Sequence, residues 1–247
     1  MGANRVKEMP MSDPSHRFDH RHPDDSSPVN PLPPVVVVLF MAIALPEAAF
    51  SLGAAGLIGG PEAVGWRLAA IQSYGFSGDI FDWMLANGRW VPQHLLRFLS
   101  YPFVHLGVTH ALFAAVLLLA LGKLVGEAMG QLAVLVIFFG SGIFGALVYA
   151  LLLDDPAWVA GAYPPVYGLI GGYSFVMWQQ LAGRGAEQYR AFSLIAVLMG
   201  LQLIWGVFFD VGLGWVSDLA GFVFGLCASV VLVPGGMARL LASLRRS

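Results

Sequence analysis

The chain has 247 residues, of which 57% are hydrophobic and only 11% are charged. With a mean hydropathy of +0.73, it has too few polar side chains to cover a water-soluble globule of this size. Its formal net charge of -2 does not suggest a nucleic-acid partner. The composition therefore predicts an integral membrane protein.

The N-terminal segment, residues 1–34, is rich in Pro, Asp, Ser and charged side chains. It has too few large apolar side chains to offset the entropy lost on ordering, so we expect a disordered cytoplasmic tail. Residues 236–247 are expected to form a short basic cytoplasmic tail. The transmembrane domain is predicted to occupy residues 35–235.

Long uncharged segments follow the N-terminal tail. Residues 128–153 and 156–183, for example, contain no Asp, Glu, Lys or Arg, and a bilayer crossing takes roughly 20 helical residues. Helices satisfy their own backbone hydrogen bonds in lipid, so we predict an all-α protein with a six-helix transmembrane bundle. The predicted spans are residues 35–58, 99–121, 131–153, 163–181, 192–209 and 215–234.

The segment between the first two predicted spans, residues 59–96, contains large aromatic side chains among scattered charges. Aromatic amphipathic segments tend to lie in the membrane interface, so we predict a long interfacial loop. An ordinary extramembrane loop with a few buried aromatic side chains is the alternative.

The positions of Lys and Arg predict the orientation, because cytoplasmic loops carry an excess of these residues. If the N-terminus is cytoplasmic, only Arg67, Arg89 and Arg97 of the 13 basic residues lie on the opposite side. An even number of spans then places the basic C-terminus on the cytoplasmic side as well. Both termini are therefore predicted to be cytoplasmic.

A first motif lies in the second predicted span and the segment before it. Residues 97–114 read RFLSYPFVHLGVTHALFA, with an arginine, a Tyr-Pro-Phe sequence, and two histidines five residues apart, His105 and His110. Five residues apart on a helix, the two histidines do not share a face, so a paired metal site is not expected. We expect both to be packing and hydrogen-bonding residues.

Two further motifs lie in the fourth and sixth predicted spans. Residues 161–169 read GAYPPVYGL and residues 217–225 read SDLAGFVFG. Their small residues allow helix backbones to approach closely in the bilayer. The positions of interest for binding or structure are Tyr167, Gly168, Gly221 and Gly225. Together, the three motifs resemble the rhomboid family of intramembrane serine proteases.

The resemblance implies a catalytic site that is not intact here. In the family, a serine on the fourth span is the nucleophile and a histidine on the sixth is its base, while an asparagine on the second span holds the oxyanion. The matching positions in this sequence are Tyr163, Asp218 and Ala114, and only His110 matches among the four main catalytic side chains. Ser174, the nearest serine, lies about three helical turns beyond Tyr163.

Asp218 has two alternative structural roles. An acidic side chain in the first turn of a helix interacts favourably with the exposed N–H groups and the helix dipole, so it is a candidate cap. Alternatively, its carboxylate accepts a hydrogen bond from the phenol of Tyr163, which would pin the fourth and sixth spans together.

Three functions remain as alternatives. The first is a rhomboid-like pseudoprotease that binds the transmembrane segments of client proteins, as the resemblance to inactive rhomboid relatives implies. The second is an active intramembrane serine-type endopeptidase with substituted catalytic residues. The third is a small transporter or channel that uses Glu47, His110 and Asp218, although Glu47 is preferably interpreted as an interfacial residue at the end of a short first span.

The remaining expectations concern surroundings and ligands. The expected partners are the lipid bilayer and transmembrane segments of other proteins, and the expected location is a bacterial inner membrane. The sequence predicts no metal and no cofactor, and it leaves the oligomeric state open.

Overall fold

A computed structural model describes residues 31–208 and 212–238. The predicted tails therefore lie mostly outside the described residues. The described residues form nine α-helices: α1 (Pro34–Ala54), α2 (Trp66–Tyr74), α3 (Gly78–Asn87), α4 (Pro92–Ser100), α5 (Val108–Met129), α6 (Gln131–Leu152), α7 (Tyr163–Gln180), α8 (Ser193–Phe208) and α9 (Trp215–Leu232). Two short strands, β1 (Phe76–Ser77) and β2 (Trp158–Val159), pair in antiparallel register.

Six of these helices overlap the predicted spans. Four of them, α1, α5, α6 and α9, are long and apolar enough to cross a membrane. Helix α7 has 18 residues but includes three Gly, three Tyr and two Gln, and α8 has 16 described residues. The chain is therefore a largely helical integral membrane protein.

The second span does not begin near residue 99, as predicted, but at Val108. The residues before it form the end of α4, the 3-10 helix Tyr101–Phe103, and an extended segment that ends at Gly107. The helix then continues past residue 121 to Met129. Its two charged side chains, Lys123 and Glu127, lie one turn apart with a nitrogen-to-oxygen distance of 3.9 Å, so they compensate each other.

The predicted loop at residues 59–96 is mostly helical. It contains the 3-10 helix Pro61–Gly65 and all or part of α2, α3 and α4. Ser77 caps α3, since its hydroxyl accepts a hydrogen bond from the N–H of Ile80. Phe76 and Phe81 are buried in a small apolar core with side chains of α4 and α6. The connection is therefore ordered and contains buried aromatic side chains, while its location in the membrane interface stays a prediction.

Helix α7 lies at the centre of the main core and packs most closely against α9. A Cβ atom added to Gly225 would lie 2.7 Å from the Cα atom of Gly168, and one added to Gly221 would lie 2.9 Å from the carbonyl carbon of Pro164. Only glycine permits this approach of two helix backbones. The contact brings the first turns of α7 and α9 together.

Candidate functional site

Hydrogen bonds from the preceding loop fix the position of Tyr163, the first residue of α7. The N–H of Gly161 donates to the carbonyl oxygen of Tyr101 at 3.0 Å, and the N–H of Ala162 donates to Nε2 of His105 at 3.2 Å. Gly161 has a φ of 104°, a conformation that favours glycine. A Cβ atom there would lie 2.6 Å from Cε1 of His110.

His105 lies just before α5 and is 1% exposed. Because its Nε2 accepts a hydrogen bond, the neutral ring carries its proton on Nδ1. Burial, followed by the nearby His110, lowers the pKa of His105 to about 4. The imidazole is therefore neutral near pH 7, and it orients the loop that leads into Tyr163.

His110 lies in the first turn of α5 and joins His105 to Tyr163. Its ring centroid is 5.3 Å from that of His105 and 4.5 Å from that of Tyr163, both in edge-to-face arrangements. The prediction that the two histidines lie on different faces of one helix was wrong, because His105 precedes α5 instead of lying on it. Among the described residues, the hydroxyl of Tyr163 has no hydrogen-bond partner.

Asp218 lies in the first turn of α9 and is 5% exposed. Its Oδ2 accepts a hydrogen bond from Nε2 of Gln202, on α8, at 2.8 Å. Neither role predicted for Asp218 is present as a hydrogen bond: it does not cap α9 through its side chain, and it is not bonded to Tyr163. The carboxylate joins α9 to α8, and Gly168 and Gly225 make the close contact between α7 and α9.

A cavity of about 730 Å³ opens between α5, α7, α8 and α9 and contains three of the predicted site residues, His110, Tyr163 and Asp218. Ala114 is buried one turn beyond His110 and does not line the cavity. The described lining includes no Ser, Thr, Cys, Lys or Arg. Its other members are Leu106, Phe113, Tyr149, Asp155, Ala157, Trp158, Val159, Ala160, Pro164, Leu201, Gln202, Gly212, Leu213, Gly214 and Trp215.

The N-terminus of α7, at the cavity wall, is poor in hydrogen-bond donors. Proline has no N–H group, so Tyr163 is the only one of the first three residues of α7 that carries one. The N–H of Val166 is already bonded to the carbonyl oxygen of Ala162 at 2.9 Å. The helix end thus offers the cavity one main-chain donor where an ordinary helix offers several.

The remaining predicted positions do not line the cavity. Tyr167 and Gly168 are buried on α7, and Gly221 and Gly225 are buried on α9. Ser174 is also fully buried on α7 and does not line the cavity.

A family model described as the Rhomboid domain matches residues 92–235. The chain belongs to the rhomboid family. The match extends from the start of α4 to just beyond α9 and includes every residue that lines the cavity. A comparison with curated proteins found no match.

Arg97 connects the rhomboid domain to the segment before it. Its Nη1 donates to the carbonyl oxygens of Gln72 and Gly75, each at 2.8 Å, and so binds carbonyl groups at the end of α2. Its guanidinium carbon lies 5.3 Å from the ring centroid of Trp158. Arg97 thereby holds α2, α4 and β2 together at one edge of the cavity.

Glu47, a candidate for a proton path, is 8% exposed and forms an ion pair. Its carboxylate accepts from Nη1 and Nη2 of Arg67 at 2.7 and 2.6 Å, and from the hydroxyl of Ser51 at 3.0 Å. Arg67 also donates to the carbonyl oxygen of His105 at 2.9 Å. Helix α1 continues to Ala54, well past Glu47. The ion pair of Glu47 and Arg67 thus fixes the segment that carries His105.

Proposed function

We propose that this rhomboid is a pseudoprotease that binds the transmembrane segments of other membrane proteins. The observation that carries the proposal is the cavity at the first turns of α7 and α9, which offers space and polar groups but no nucleophile bonded to a base. Such a site can receive part of another membrane protein without cleaving it.

Hydrolysis by a serine-type mechanism needs a nucleophile within hydrogen-bond reach of a base. Tyr163, the phenol in the cavity, contacts His110 through its ring and has no hydrogen bond from its hydroxyl to a described residue. The carboxylate of Asp218 is engaged by Gln202. A phenol has a reference pKa of about 10, so a carboxylate is a poor base for it.

The small number of candidate oxyanion donors, which are the N–H of Tyr163 and the imidazole of His110, supports the same proposal. Removing one donor from an oxyanion hole typically lowers the rate by a factor of about 100 to 1,000. Here Pro164 and Pro165 carry no N–H, and Ala114 has no polar side chain. A tetrahedral intermediate formed beside Tyr163 would therefore receive little stabilisation.

The test of activity uses the purified full chain in liposomes with a single-span rhomboid-type substrate. We expect no cleavage product under conditions in which an active rhomboid cleaves the substrate. Cleavage that disappears in Tyr163→Phe or Asp218→Asn would overturn the proposal and favour an active protease with substituted residues.

The test of client binding places a photocrosslinking amino acid at Phe113, beside the cavity, and in a matched variant at Leu132, at the exposed start of α6. We expect crosslinks to transmembrane segments from the first position in excess over the second. Equal or absent crosslinking would contradict client binding. The transporter alternative receives no support from Glu47, because Arg67 pairs with it.

We also propose that α7 and α8 cross the membrane, which gives six spans with both termini cytoplasmic, in a bacterial inner membrane. The support is the position of all six long helices and the excess of Lys and Arg on one side. Labelling of intact cells with an impermeant maleimide tests this topology. In a Cys227→Ser background, Asn87→Cys should react, whereas Ser247→Cys should react only after the cells are opened.

A further inference from the structure

The cavity wall carries two acidic side chains and, among the described residues, no strongly basic one. Asp155 and Asp218 line it, and the described lining includes no Lys or Arg. Arg97 is near, but it stacks on Trp158 and donates to main-chain carbonyl oxygens. The wall thus presents two carboxylates without a cationic partner from the described residues.

Of the two carboxylates, that of Asp218 has the greater need of hydrogen-bond donors because it is almost completely buried. Its Oδ2 accepts one hydrogen bond from the neutral amide of Gln202, and its Oδ1 accepts none from the described residues. Oε1 of Gln202 is also buried without a donor. Buried charges in proteins are ordinarily paired, and buried acceptors ordinarily have donors, so this corner of the cavity lacks a cationic donor.

Aromatic side chains make up a large part of the remaining wall. Trp158, Trp215, Phe113, Tyr149 and Tyr163 all line the cavity. Cations are attracted to the faces of such rings, and the attraction grows when water is displaced. The aromatic rings also accommodate the methylene groups of a long basic side chain, whose charged end can then reach a carboxylate.

We propose that the cavity receives a single basic side chain, Lys or Arg, at the end of a client's transmembrane segment. This inference rests on the proposed function and specifies the class of client. An ammonium offers three donors and a guanidinium five, enough to reach the free oxygen of Asp218 while the alkyl stem lies against the aromatic rings. The client's apolar helix remains in lipid, beside the first turns of α5, α7 and α9.

The experiment uses two synthetic single-span peptides of Leu and Ala that differ only in one terminal residue, Lys in one and norleucine in the other. The full chain, labelled at its exposed Cys227, is placed in vesicles of a neutral glycolipid, and energy transfer reports binding of each labelled peptide. We expect the Lys peptide to bind about tenfold more tightly, as suits one charge-assisted hydrogen bond with a partly desolvated cation. The preference should disappear in Asp218→Asn and persist in the control Asp154→Asn, since Asp154 is exposed and outside the cavity lining.

The outcomes separate this inference from the proposed function. Equal binding of both peptides by the unmodified chain overturns the inference and leaves client binding standing, whereas binding of neither peptide overturns both. The comparison of two peptides on the unmodified chain requires no variant, and binding of the norleucine peptide verifies that Asp218→Asn is folded. A preference that vanishes in phosphatidylcholine vesicles would assign the cavity to a lipid headgroup and overturn the assignment to a client side chain.

Discussion

Gly225→Ala tests the backbone contact that places α7 against α9. The added Cβ would lie 2.7 Å from the Cα atom of Gly168, whereas carbon atoms meet at about 3.5–4.0 Å. The opposing atoms belong to the backbone, so no side-chain rotation can relieve the overlap, and the two helices must separate by about 1 Å. Overpacking costs about 1–3 kcal/mol, and a rigid obstacle of this kind places the expected loss at the upper end, about 3 kcal/mol, or roughly a hundredfold in the ratio of folded to unfolded protein.

The assay is denaturant unfolding of the purified chain in mixed micelles, followed by the fluorescence of its seven tryptophans. Gly200→Ala is the matched control, since apart from its two chain neighbours and the adjacent backbone of α8 no described atom lies within 4 Å of a Cβ added there. Alanine also stabilises a helix by up to about 1 kcal/mol relative to glycine. The reasoning is refuted if Gly225→Ala unfolds at the same denaturant concentration as Gly200→Ala.

Two further predictions concern groups that hold the segment before α5. Arg67→Ala leaves the buried carboxylate of Glu47 unpaired, and breaking a buried ion pair typically costs about 3–5 kcal/mol of stability. We expect a loss toward the lower end of this range, because the Arg67 side chain is 21% exposed. The control Arg89→Ala, at an exposed position, should have no measurable effect in the same unfolding assay. His105 has a pKa of about 4 in the folded chain and about 6.5 in the unfolded chain. Between these pH values the unfolded state binds more protons than the folded state. The contribution of His105 to stability is therefore fully present above about pH 6.5 and is lost as the pH falls toward 4. His105→Gln should remove this part of the pH dependence, which amounts to at most about 1.4 kcal/mol per pH unit, and an unchanged pH profile in the variant would contradict the assignment.

The helices were the part of the fold that the sequence predicted best. The span predicted at residues 131–153 is α6, Gln131–Leu152, because an uninterrupted apolar segment between charged ends leaves little choice of boundary in lipid. The second span was misplaced because the Tyr-Pro-Phe sequence is apolar without being part of the span. Hydropathy does not distinguish an apolar 3-10 turn from the start of a helix.

The sequence motifs named residues of the candidate site but not the bonds between them. Tyr163, Asp218 and His110 were named from three separate motifs, and all three line one cavity. The bond from Gln202 to Asp218 was missed because it depends on how α8 is rotated, and α8 is apolar on most sides. Likewise, the pairing of Glu47 with Arg67 joins a span to a segment interpreted as a loop, and no spacing rule relates two such residues.

The two prolines at the start of α7 limit what a change of side chains can do at this helix end. Single substitutions can place a serine at Tyr163 or a histidine at Asp218, but neither provides a main-chain N–H at Pro164 or Pro165. A variant with both side chains would still have a single amide donor among the first three residues of α7. The chemistry available at the cavity is therefore limited by the backbone as well as by the side chains by which such sites are usually recognised.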